Sequence, residues 1–583
     1  MNQIRNLSFL SWKQDTAWME SMKGNRWKNL VKKENEIFEN ELSKISTKEE
    51  ILAITEQFEK EKNVIYYNLK NIIIKYPLYD SYEYTVDSAT YIVSDIDVCD
   101  NYIFHIRDIG KGKQNYRLEC FKNNLIKWHY NHVGSNIYLK GSKCYVLNAS
   151  NTLWYNKVLE IDSLTGRLIR VLYEEKDPMY SLTLVKSEKT FFIIRENSGI
   201  QNLMYFDNNL IFAGKGTNFY PIDIYNKKVC YFEYLNEWKS VGFHFPYKIY
   251  GSIEYISLEN KIFIERRFGR KIMYSFKNSL KPIYSYYGNL IINPWLYNLD
   301  KFYIDSTNGL IQLSYKNKLI QHNCGENLGI LRHNFTYNRV PYISIKPHCK
   351  VKGLLVIAYG AYSAPTNTSM WRWKPYLQDG WIIAFAFVRG SGDDTIEWAM
   401  EAKTYNKYKS SEDLEECIKA LQKTYNISPS DTCIYGRSAG GYLVGSLVSR
   451  NSSGNLFKMV YTEVPYVDIL RTTTNPNLPL TQLEYNEFGN PKNSVYEFQE
   501  LLKLSPVDSL VKPPDIFVLV RTSENDSQVY TYESLKWIDA LRCKNNDSTK
   551  LVYISKNEGH FNSSLRNLAE DFILLKNSRE NGF

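Results

Sequence analysis

The chain has 583 residues, of which 44% are hydrophobic and 15% aromatic. This length exceeds what one hydrophobic core usually supports, and the composition excludes a disordered or low-complexity protein. The formal net charge is +9, but the 72 basic and 63 acidic residues are mixed along the chain, which argues against a nucleic-acid partner. We therefore expect a globular protein of two or three domains.

The cysteines and the apolar runs narrow the class of protein further. Nine cysteines are scattered without a CxxC pair or a Cys/His cluster, so we expect reduced thiols, no metal site and no cofactor. The N-terminal stretch MNQIRNLSFLSWKQD lacks an apolar signal core, and the longest apolar run, WIIAFAFV, is too short to span a bilayer. These features predict a soluble cytoplasmic protein with no membrane partner.

Residues 1–78 are predicted to form a helical segment. In WKNLVKKENEIFENELSKI the apolar residues Trp27, Leu30, Phe38 and Leu42 recur near helical spacing among charged residues. The following STKEE has the form of a capping box, which indicates the start of a second helix.

Residues 79–325 are predicted to be all-β, because short aromatic and β-branched runs alternate with turn residues. Six such runs begin at Tyr102, Cys144, Lys189, Val229, Lys261 and Lys301, with spacings of 42, 45, 40, 32 and 40 residues. A four-stranded propeller blade takes about 40–45 residues. We therefore expect a β-propeller of six to seven blades, with an irregular array of β-sandwiches as the alternative.

Residues 326–583 show a third pattern, in which near-continuous apolar strands alternate with amphipathic helices. The strands are GLLVIAY, WIIAFAFV, TCIYG, MVYTEV, IFVLVRT and LVYIS, and the clearest helices are SEDLEECIKALQKTY and SQVYTYESLKWIDALRC. Such strands are typical of a mostly parallel, doubly wound sheet with helices on both faces. We expect the functional residues at the carboxyl ends of these strands.

Three side chains have the chemistry and chain order of a catalytic triad. In GRSAG, Ser438 lies between two glycines directly after a predicted strand, as in the turn that exposes a nucleophilic serine. His560 is the single histidine after Ser438, and it follows the strand LVYIS. Six aspartates between them could orient this base: Asp468, Asp508, Asp515, Asp526, Asp539 and Asp547.

Asp526 is the favoured acid, because it alone closely follows a long apolar strand and precedes a helix. It could equally cap the helix expected to begin near Ser527. An anionic tetrahedral intermediate also needs hydrogen-bond donors. The backbone N–H of Ala439 is one, and the hydroxyl of Tyr359, at the end of GLLVIAY, could be another.

The motifs GRSAGGYLVG, VPYVDIL, LPLTQLEYNEFGNP, ENDSQVYTYESLKW and EGH resemble the catalytic domain of the prolyl oligopeptidase family of serine peptidases, and most of all its oligopeptidase B group. The resemblance covers residues 350–565 and is weaker in the N-terminal DTAWMES. It implies an α/β-hydrolase catalytic domain at 326–583, a propeller above it, and a helical segment that packs on the catalytic domain. It also implies that Ser438, Asp526 and His560 form the triad and that Tyr359, in AYGAY, binds the oxyanion.

The resemblance further implies a pocket for a basic substrate side chain. Oligopeptidase B has two glutamates, two residues apart, before the GNP motif; Glu484 matches the first, Asn486 replaces the second, and Glu487 follows. A single carboxylate weakens the expected preference for Arg or Lys. The turn RGSGDD is also less glycine-rich than the family pattern, and the propeller region is shorter than that of oligopeptidase B.

The leading interpretation is a serine oligopeptidase that hydrolyses short peptides through an acyl-enzyme, with cleavage after basic residues as its candidate preference. An esterase, an acyl transferase, or a leader-processing or macrocyclising peptidase on the same fold stays open. A propeller-based binding protein with an inactive hydrolase domain is a further alternative, which intact Ser438, Asp526 and His560 disfavour.

Overall fold

The computed structural model describes residues 14–582 except 63, 70–71, 77–81, 87–88, 151, 198–199, 278, 292–300, 307–308, 316–318, 324–327, 543–548 and 562. Two long helices come first, α1 (Gly24–Ile45) and α2 (Lys48–Glu61). The capping box is confirmed, because the Thr47 hydroxyl accepts a hydrogen bond from the Glu50 N–H at 3.2 Å.

Six antiparallel sheets follow in the described part of residues 65–323, and because two groups in the second sheet share one strand they make seven groups of strands. Their strands are β1 (Ile65–Leu69), β2 (Ile72–Tyr76), β3 (Tyr82–Val86), β4 (Ala89–Val93); β5 (Asp95–Cys99), β6 (Tyr102–Asp108), β7 (Tyr116–Lys122), β8 (Leu125–Lys140), β9 (Lys143–Ala149), β10 (Tyr155–Asp162), β11 (Leu168–Glu174); β12 (Ser181–Lys186), β13 (Phe191–Asn197), β14 (Ile200–Asp207), β15 (Asn209–Gly216); β16 (Asn218–Tyr225), β17 (Lys228–Tyr234), β18 (Trp238–Val241); β19 (Ser252–Ser257), β20 (Ile262–Arg267), β21 (Arg270–Ser275), β22 (Lys281–Tyr286); and β23 (Gly288–Ile291), β24 (Lys301–Ser306), β25 (Gly309–Tyr315), β26 (Leu319–Asn323).

The long strand β8 belongs to two of these groups. It pairs with β7 up to Val133 and with β9 from Val133 onward, with a register shift before Ile137, so β5–β11 form two blades joined by one strand. Side chains of consecutive blades share apolar clusters, such as Tyr145 with Leu184 and Phe232 with Phe263. The groups are therefore the blades of a β-propeller, and the prediction of an all-β propeller region is confirmed.

The six runs that revealed the repeat have one position in common: β6, β9, β13, β17, β20 and β24 are each the second strand of a blade. The blade outside the repeat is the first, formed by β1–β4. Its strands begin at Ile65, so β1 and β2 belong to this blade and not to the helical segment, and the expected boundary between residues 78 and 79 lies outside the described residues. A short IIIKY strand close to charged helices gave no clear sequence signal.

Residues 330–582 contain an eight-stranded sheet with the order β27-β28-β30-β29-β31-β32-β33-β34. Its strands are β27 (Ile330–Phe335), β28 (Pro341–Lys346), β29 (Gly353–Ile357), β30 (Trp381–Ala386), β31 (Thr432–Arg437), β32 (Met459–Glu463), β33 (Phe517–Ser523) and β34 (Lys550–Ser555). From β30 to β34 neighbouring strands are parallel, and β27 and β28 add an antiparallel edge. The doubly wound α/β-hydrolase prediction is confirmed, although the sequence reading missed β27 and β28.

Helices cover both faces of this sheet. They are α3 (Lys374–Asp379), α4 (Ile396–Met400), α5 (Tyr408–Tyr425), α6 (Ala439–Arg450), α7 (Ile469–Thr474), α8 (Thr481–Phe488), α9 (Val495–Leu504), α10 (Pro506–Ser509), α11 (Thr531–Arg542) and α12 (Leu565–Asn581). One core cluster packs α5, α6 and α11 on the first face, and a second packs α2, α3 and α12 on the other. No helix among the described residues is long and apolar enough to cross a membrane.

The turn RGSGDD joins the sheet to the propeller. The Arg266 side chain donates to the Gly392 carbonyl at 2.9 Å, and the Gly269 N–H donates to the Asp393 carbonyl at 2.8 Å. The Asp394 carboxylate accepts from the Phe268 N–H at 3.3 Å. The second acid of this turn, unusual for the resembled family, therefore contacts the blade formed by β19–β22.

Helix α1 closes the open edge of the sheet at β34. The Asn35 side chain accepts from the Ile554 N–H at 2.8 Å and donates to the Ile554 carbonyl at 3.0 Å, as a neighbouring strand would. Beside it, Glu34 forms a buried ion pair with Arg542 at 2.8 Å. The helical segment thus satisfies backbone groups that an edge strand would leave unpaired.

We predict that Asn35→Ala destabilises the protein by about 1–3 kcal/mol, because it leaves a buried N–H and carbonyl without partners. Thermal unfolding followed by circular dichroism measures the change. Asn40→Ala, on the exposed face of the same helix, is the matched control. Equal unfolding midpoints for the two variants would contradict this role of Asn35.

Candidate active site

Ser438 occupies a sharp turn between β31 and α6. Its backbone has φ 54° and ψ −122°, a combination that residues with a side chain rarely adopt. The Ser438 N–H donates to the Glu463 carbonyl at 3.0 Å, and its own carbonyl accepts from Tyr466 N–H at 3.0 Å. A Cβ atom on Gly436 would lie 2.1 Å from the Gly440 carbonyl oxygen, so this position requires glycine.

The three residues expected to act together are in hydrogen-bond contact. His560 Nε2 lies 2.9 Å from Ser438 Oγ, and His560 Nδ1 lies 2.8 Å from Asp526 Oδ2. Asp526 and His560 are each 3% exposed. Because a carboxylate only accepts, the hydrogen of the imidazole lies on Nδ1 and the Nε2 lone pair faces the serine hydroxyl.

Asp526 has a second set of contacts through its other oxygen. Oδ1 accepts from the N–H groups of Gln528 at 2.8 Å and Val529 at 3.0 Å. Helix α11 begins only at Thr531, so the expected helix start near Ser527 was wrong, and Asp526 closes a tight turn instead. These hydrogen bonds fix the carboxylate that contacts His560.

Other candidate acids have different partners. Asp468 forms an ion pair with Lys536 at 2.6 Å, and Asp508 accepts from the Ser505 hydroxyl at 2.7 Å. Asp547 lies outside the described residues.

A propeller hairpin, residues 108–115 between β6 and β7, contacts the loops that carry Asp526 and His560. Gly112 and Gly559 pack so closely that a Cβ on Gly559 would lie 2.1 Å from the Gly112 carbonyl oxygen. The Gln528 side chain donates to the Gln114 side chain at 2.9 Å. The two loops are therefore held by both domains.

The hairpin is itself rigidly built around Asp108. The Asp108 carboxylate accepts hydrogen bonds from four backbone N–H groups within the hairpin, at 2.7–3.0 Å: those of Gly110, Gly112, Gln114 and Asn115. Sequence reasoning did not identify the contact between this hairpin and the loops of Asp526 and His560, because that contact joins residues far apart in the chain.

Tyr359 and Ala439 lie beside Ser438. Tyr359 lines the same cavity as Ser438, and a Cβ on Gly440 would lie 2.9 Å from the Ala358 carbonyl oxygen, so the end of β29 abuts the serine turn. Burial, with Glu484 nearby, raises the pKa of Tyr359 above its usual value, so its hydroxyl keeps its proton and can donate. Ala439, which is 1% exposed, is the first residue of α6.

A cavity of about 970 Å³ contains Ser438, His560, Tyr359 and Glu484 in its wall. Residues of the hydrolase domain line most of it, and Lys62 and Ile92 belong to the helical segment and the first blade. Its volume lies at the upper end of the ~300–1,000 Å³ range of ligand pockets.

Among the three expected substrate-binding residues, only Glu484 lines this cavity. The Asn486 side chain contacts Asn197 of the propeller, and Glu487 is 2% exposed and forms an ion pair with Lys407. The expected placement of Asn486 and Glu487 in the pocket was therefore wrong. Residues two apart on α8 project to opposite sides, which explains why Asn486 turns away.

The Glu484 side chain is half-buried in the wall of the cavity. It accepts a hydrogen bond from the Tyr362 hydroxyl at 2.6 Å. Burial raises the pKa of Glu484 to about 8 and nearby Glu487 adds to this, while the Tyr362 hydrogen bond and Lys407 act in the opposite direction. Glu484 is therefore mostly neutral at pH 7 when the pocket holds no cation.

A buried carboxylate behind the serine turn, that of Glu463, was not identified from the sequence. It pairs with Arg372 at 3.1 Å and Arg437 at 3.3 Å and accepts from the Tyr435 hydroxyl at 2.6 Å. Burial raises the pKa of Glu463, but the two arginines outweigh it, so the pKa lies well below its usual value. A glutamate within the apolar strand MVYTEV was the available signal.

No group of three or more metal-ligating side chains occurs within the described parts of the chain. The site therefore consists of a serine, an imidazole and a carboxylate in a hydrogen-bonded row at the carboxyl ends of parallel strands. Such a row can activate the serine hydroxyl for attack on a carbonyl carbon.

Comparison with known proteins agrees with this geometry. Residues 366–573 match the family model described as "Prolyl oligopeptidase family". Protease 2 of Moraxella lacunata is 31% identical over 232 residues, which are 38% of this chain and 33% of that protein. A prolyl endopeptidase-like protein of Xenopus laevis is 32% identical over 202 residues, which are 34% of this chain and 28% of that protein.

The likeness in structure extends further than the likeness in sequence. Oligopeptidase B from Leishmania major superposes with a TM-score of 0.80, covering 97% of this chain and 94% of that one at 17% identity. This similarity concerns the fold, a propeller combined with an α/β hydrolase. The aligned sequence spans a third or less of the length of the two curated relatives. Residues 366–573 are therefore the part of this chain that is similar in sequence to the prolyl oligopeptidase family.

Proposed function

We propose that the protein is a serine peptidase that cleaves short peptides through an acyl-enzyme intermediate. The observation that carries the proposal is the hydrogen-bonded row from Asp526 through His560 to Ser438, at 2.8 and 2.9 Å. The family of residues 366–573 supports peptides as the substrate class. The cavity volume of about 970 Å³ supports a peptide segment, rather than a folded domain, as the ligand.

In the proposed mechanism, Ser438 Oγ attacks the scissile carbonyl while His560 Nε2 takes its proton. Asp526 orients the imidazole and stabilises its charged form. The Ala439 N–H and the Tyr359 hydroxyl donate to the oxyanion of the tetrahedral intermediate. His560 then protonates the leaving amine, and water releases the acyl group by the reverse proton transfers.

Glu484 is the proposed determinant of preference for the side chain before the scissile bond, the P1 residue. As the one carboxylate among the described residues lining the cavity, it would pair with an Arg or Lys side chain in its ionised form. The pKa of about 8 implies that binding a cation requires loss of a proton near neutral pH.

Labelling with a fluorophosphonate tests the nucleophile. We expect wild-type protein to gain one covalent adduct at Ser438, and Ser438→Ala to gain none and to lose peptidase activity by a factor on the order of 10⁴–10⁶. Ser563→Ala, whose serine lines the same cavity, is the control that keeps the label. Absence of an adduct in folded wild type, or cleavage of esters but not of peptide amides, would contradict the proposal.

The pH dependence of P1 preference tests Glu484. Two peptides that differ only in P1 arginine or its neutral isostere citrulline share every pH effect on the chemical steps, and these effects therefore cancel in the ratio of their kcat/KM values. We expect the arginine/citrulline ratio to rise by up to about 50-fold between pH 6 and 8, as Glu484 loses its proton, and to level off about one pH unit above the pKa of about 8.

Two variants complete this test. Glu484→Gln should remove the rise, because no carboxyl then titrates in the pocket, whereas Asn486→Ala should leave it intact, because Asn486 lies outside the cavity wall. A ratio that does not change with pH in wild type would exclude Glu484 as the partner of P1.

A third test concerns the contact between the propeller hairpin and the His560 loop. Gly559→Ala should lower kcat by about 100-fold, because the new Cβ would clash with Gly112 and displace His560 from Ser438. Gly134→Ala is the matched control, since its Cβ would come no closer than 3.2 Å to another atom. Normal kcat in Gly559→Ala would show that the contact does not position His560.

A further inference from the structure

The residues that line the cavity around Ser438 include two groups, here called the acidic branch and the basic branch, which adjoin core clusters on opposite faces of the sheet. The acidic branch contains Glu484, Tyr362 and Tyr466 beside the core cluster of α5, α6 and α11. The basic branch is lined by Arg372, Trp373, Tyr435, Arg437 and Ser563, and Trp373 and Tyr435 belong to the core cluster of α2, α3 and α12. The two branches therefore meet at the end of β31, where Ser438 lies.

The charge of the basic branch is fixed in position by its contacts. Two guanidinium groups share one carboxylate: Arg372 donates to both oxygens of Glu463, at 3.1 and 3.2 Å, and Arg437 donates at 3.3 Å. The Arg372 guanidinium also lies 4.7 Å from the Trp373 ring centroid. Arg372 and Arg437 both line the cavity, whereas Glu463 is only 1% exposed and does not line it.

The basic branch adjoins the loop that carries His560. Arg437 donates to the carbonyl oxygen of His560, and Phe561, Ser563 and Ser564, which continue the chain from His560, line the same branch. In acyl transfer to a serine, the imidazole gives its proton to the departing amine, so the leaving segment departs past the imidazole. Because Arg437 directly precedes Ser438, this branch begins within one side chain's length of the nucleophile.

We propose that the basic branch binds a carboxylate of the leaving peptide segment. This inference rests on the proposed peptidase function and adds a preference on the far side of the scissile bond. The carboxylate is either the C-terminus of a peptide that ends one or two residues beyond the bond, or an Asp or Glu side chain there. Guanidinium groups held in place by Glu463 and Trp373 suit this recognition, because little freedom is lost when the carboxylate binds.

Three peptides with one common acyl part test the preference. The first ends two residues after the scissile bond in a free carboxylate, the second carries a C-terminal amide there, and the third has the amide and a Glu side chain in the leaving segment. We expect wild type to cleave the first, the third or both with kcat/KM about tenfold above the second. Equal values for all three would overturn the proposal, and the arms separate the two sources of carboxylate.

Variants link the preference to the basic branch. Arg372→Gln should bring the acid/amide ratio close to one, and Arg372→Lys, which keeps the charge, should retain part of it. Arg372→Gln leaves the Glu463 carboxylate paired with Arg437, and thermal unfolding checks that this variant keeps the fold. Lys374→Gln is the control, because Lys374 pairs with Glu61 and does not line the cavity.

A binding measurement separates this inference from the proposed function. Ser438→Ala is titrated with the acid and amide peptides by calorimetry, where no cleavage is needed. Tighter binding of the acid peptide, lost with Arg372→Gln, supports the inference even if wild type cleaves no peptide. Failure of wild type to cleave any peptide would reject the peptidase function alone. Equal affinities, or a preference that Arg372→Gln leaves intact, would overturn the inference.

Discussion

Glu463 makes the interactions on which the rest of the site depends. Its backbone carbonyl holds the Ser438 N–H, and its side chain holds Arg437, which in turn donates to the carbonyl of His560. One residue at the end of β32 thus connects the serine turn with the histidine loop. A buried charge of this kind is tolerated only when paired, and removal of one partner typically costs about 3–5 kcal/mol. The ion pairs therefore constrain the geometry as well as the charge.

The row of Ser438, His560 and Asp526 could be predicted from the sequence because a parallel sheet brings its strand ends to one edge. Each of the three follows a run of buried apolar residues, so the topology alone places them together. The repeat in the propeller was visible for the same reason: the second strand of most blades is strongly apolar, as in β13 and β20. The first blade escaped notice because its second strand, IIIKY, is short.

Other features could not be predicted, because they depend on the direction of single side chains or on contacts between domains. Asn486 and Glu484 share one short helix, yet one contacts the propeller and the other lines the cavity. The helical phase that separates them follows from where α8 begins, and Leu480, with φ 61°, sets that start without a capping side chain. The pairing of Glu463 with Arg372 likewise joins positions that no sequence periodicity relates.

The hairpin of residues 108–115 belongs to the propeller, yet it contacts the loops of the hydrolase domain that carry Asp526 and His560. Asp108 keeps this hairpin rigid through its four backbone hydrogen bonds, so the propeller meets the loops of Asp526 and His560 with a preformed surface. Selection acting on the chemistry therefore also acts on a turn that contains no reactive side chain. Under the proposed function, two chains with identical hydrolase domains are expected to differ in turnover when this hairpin differs, and exchange of propellers between relatives is expected to change rate as well as access.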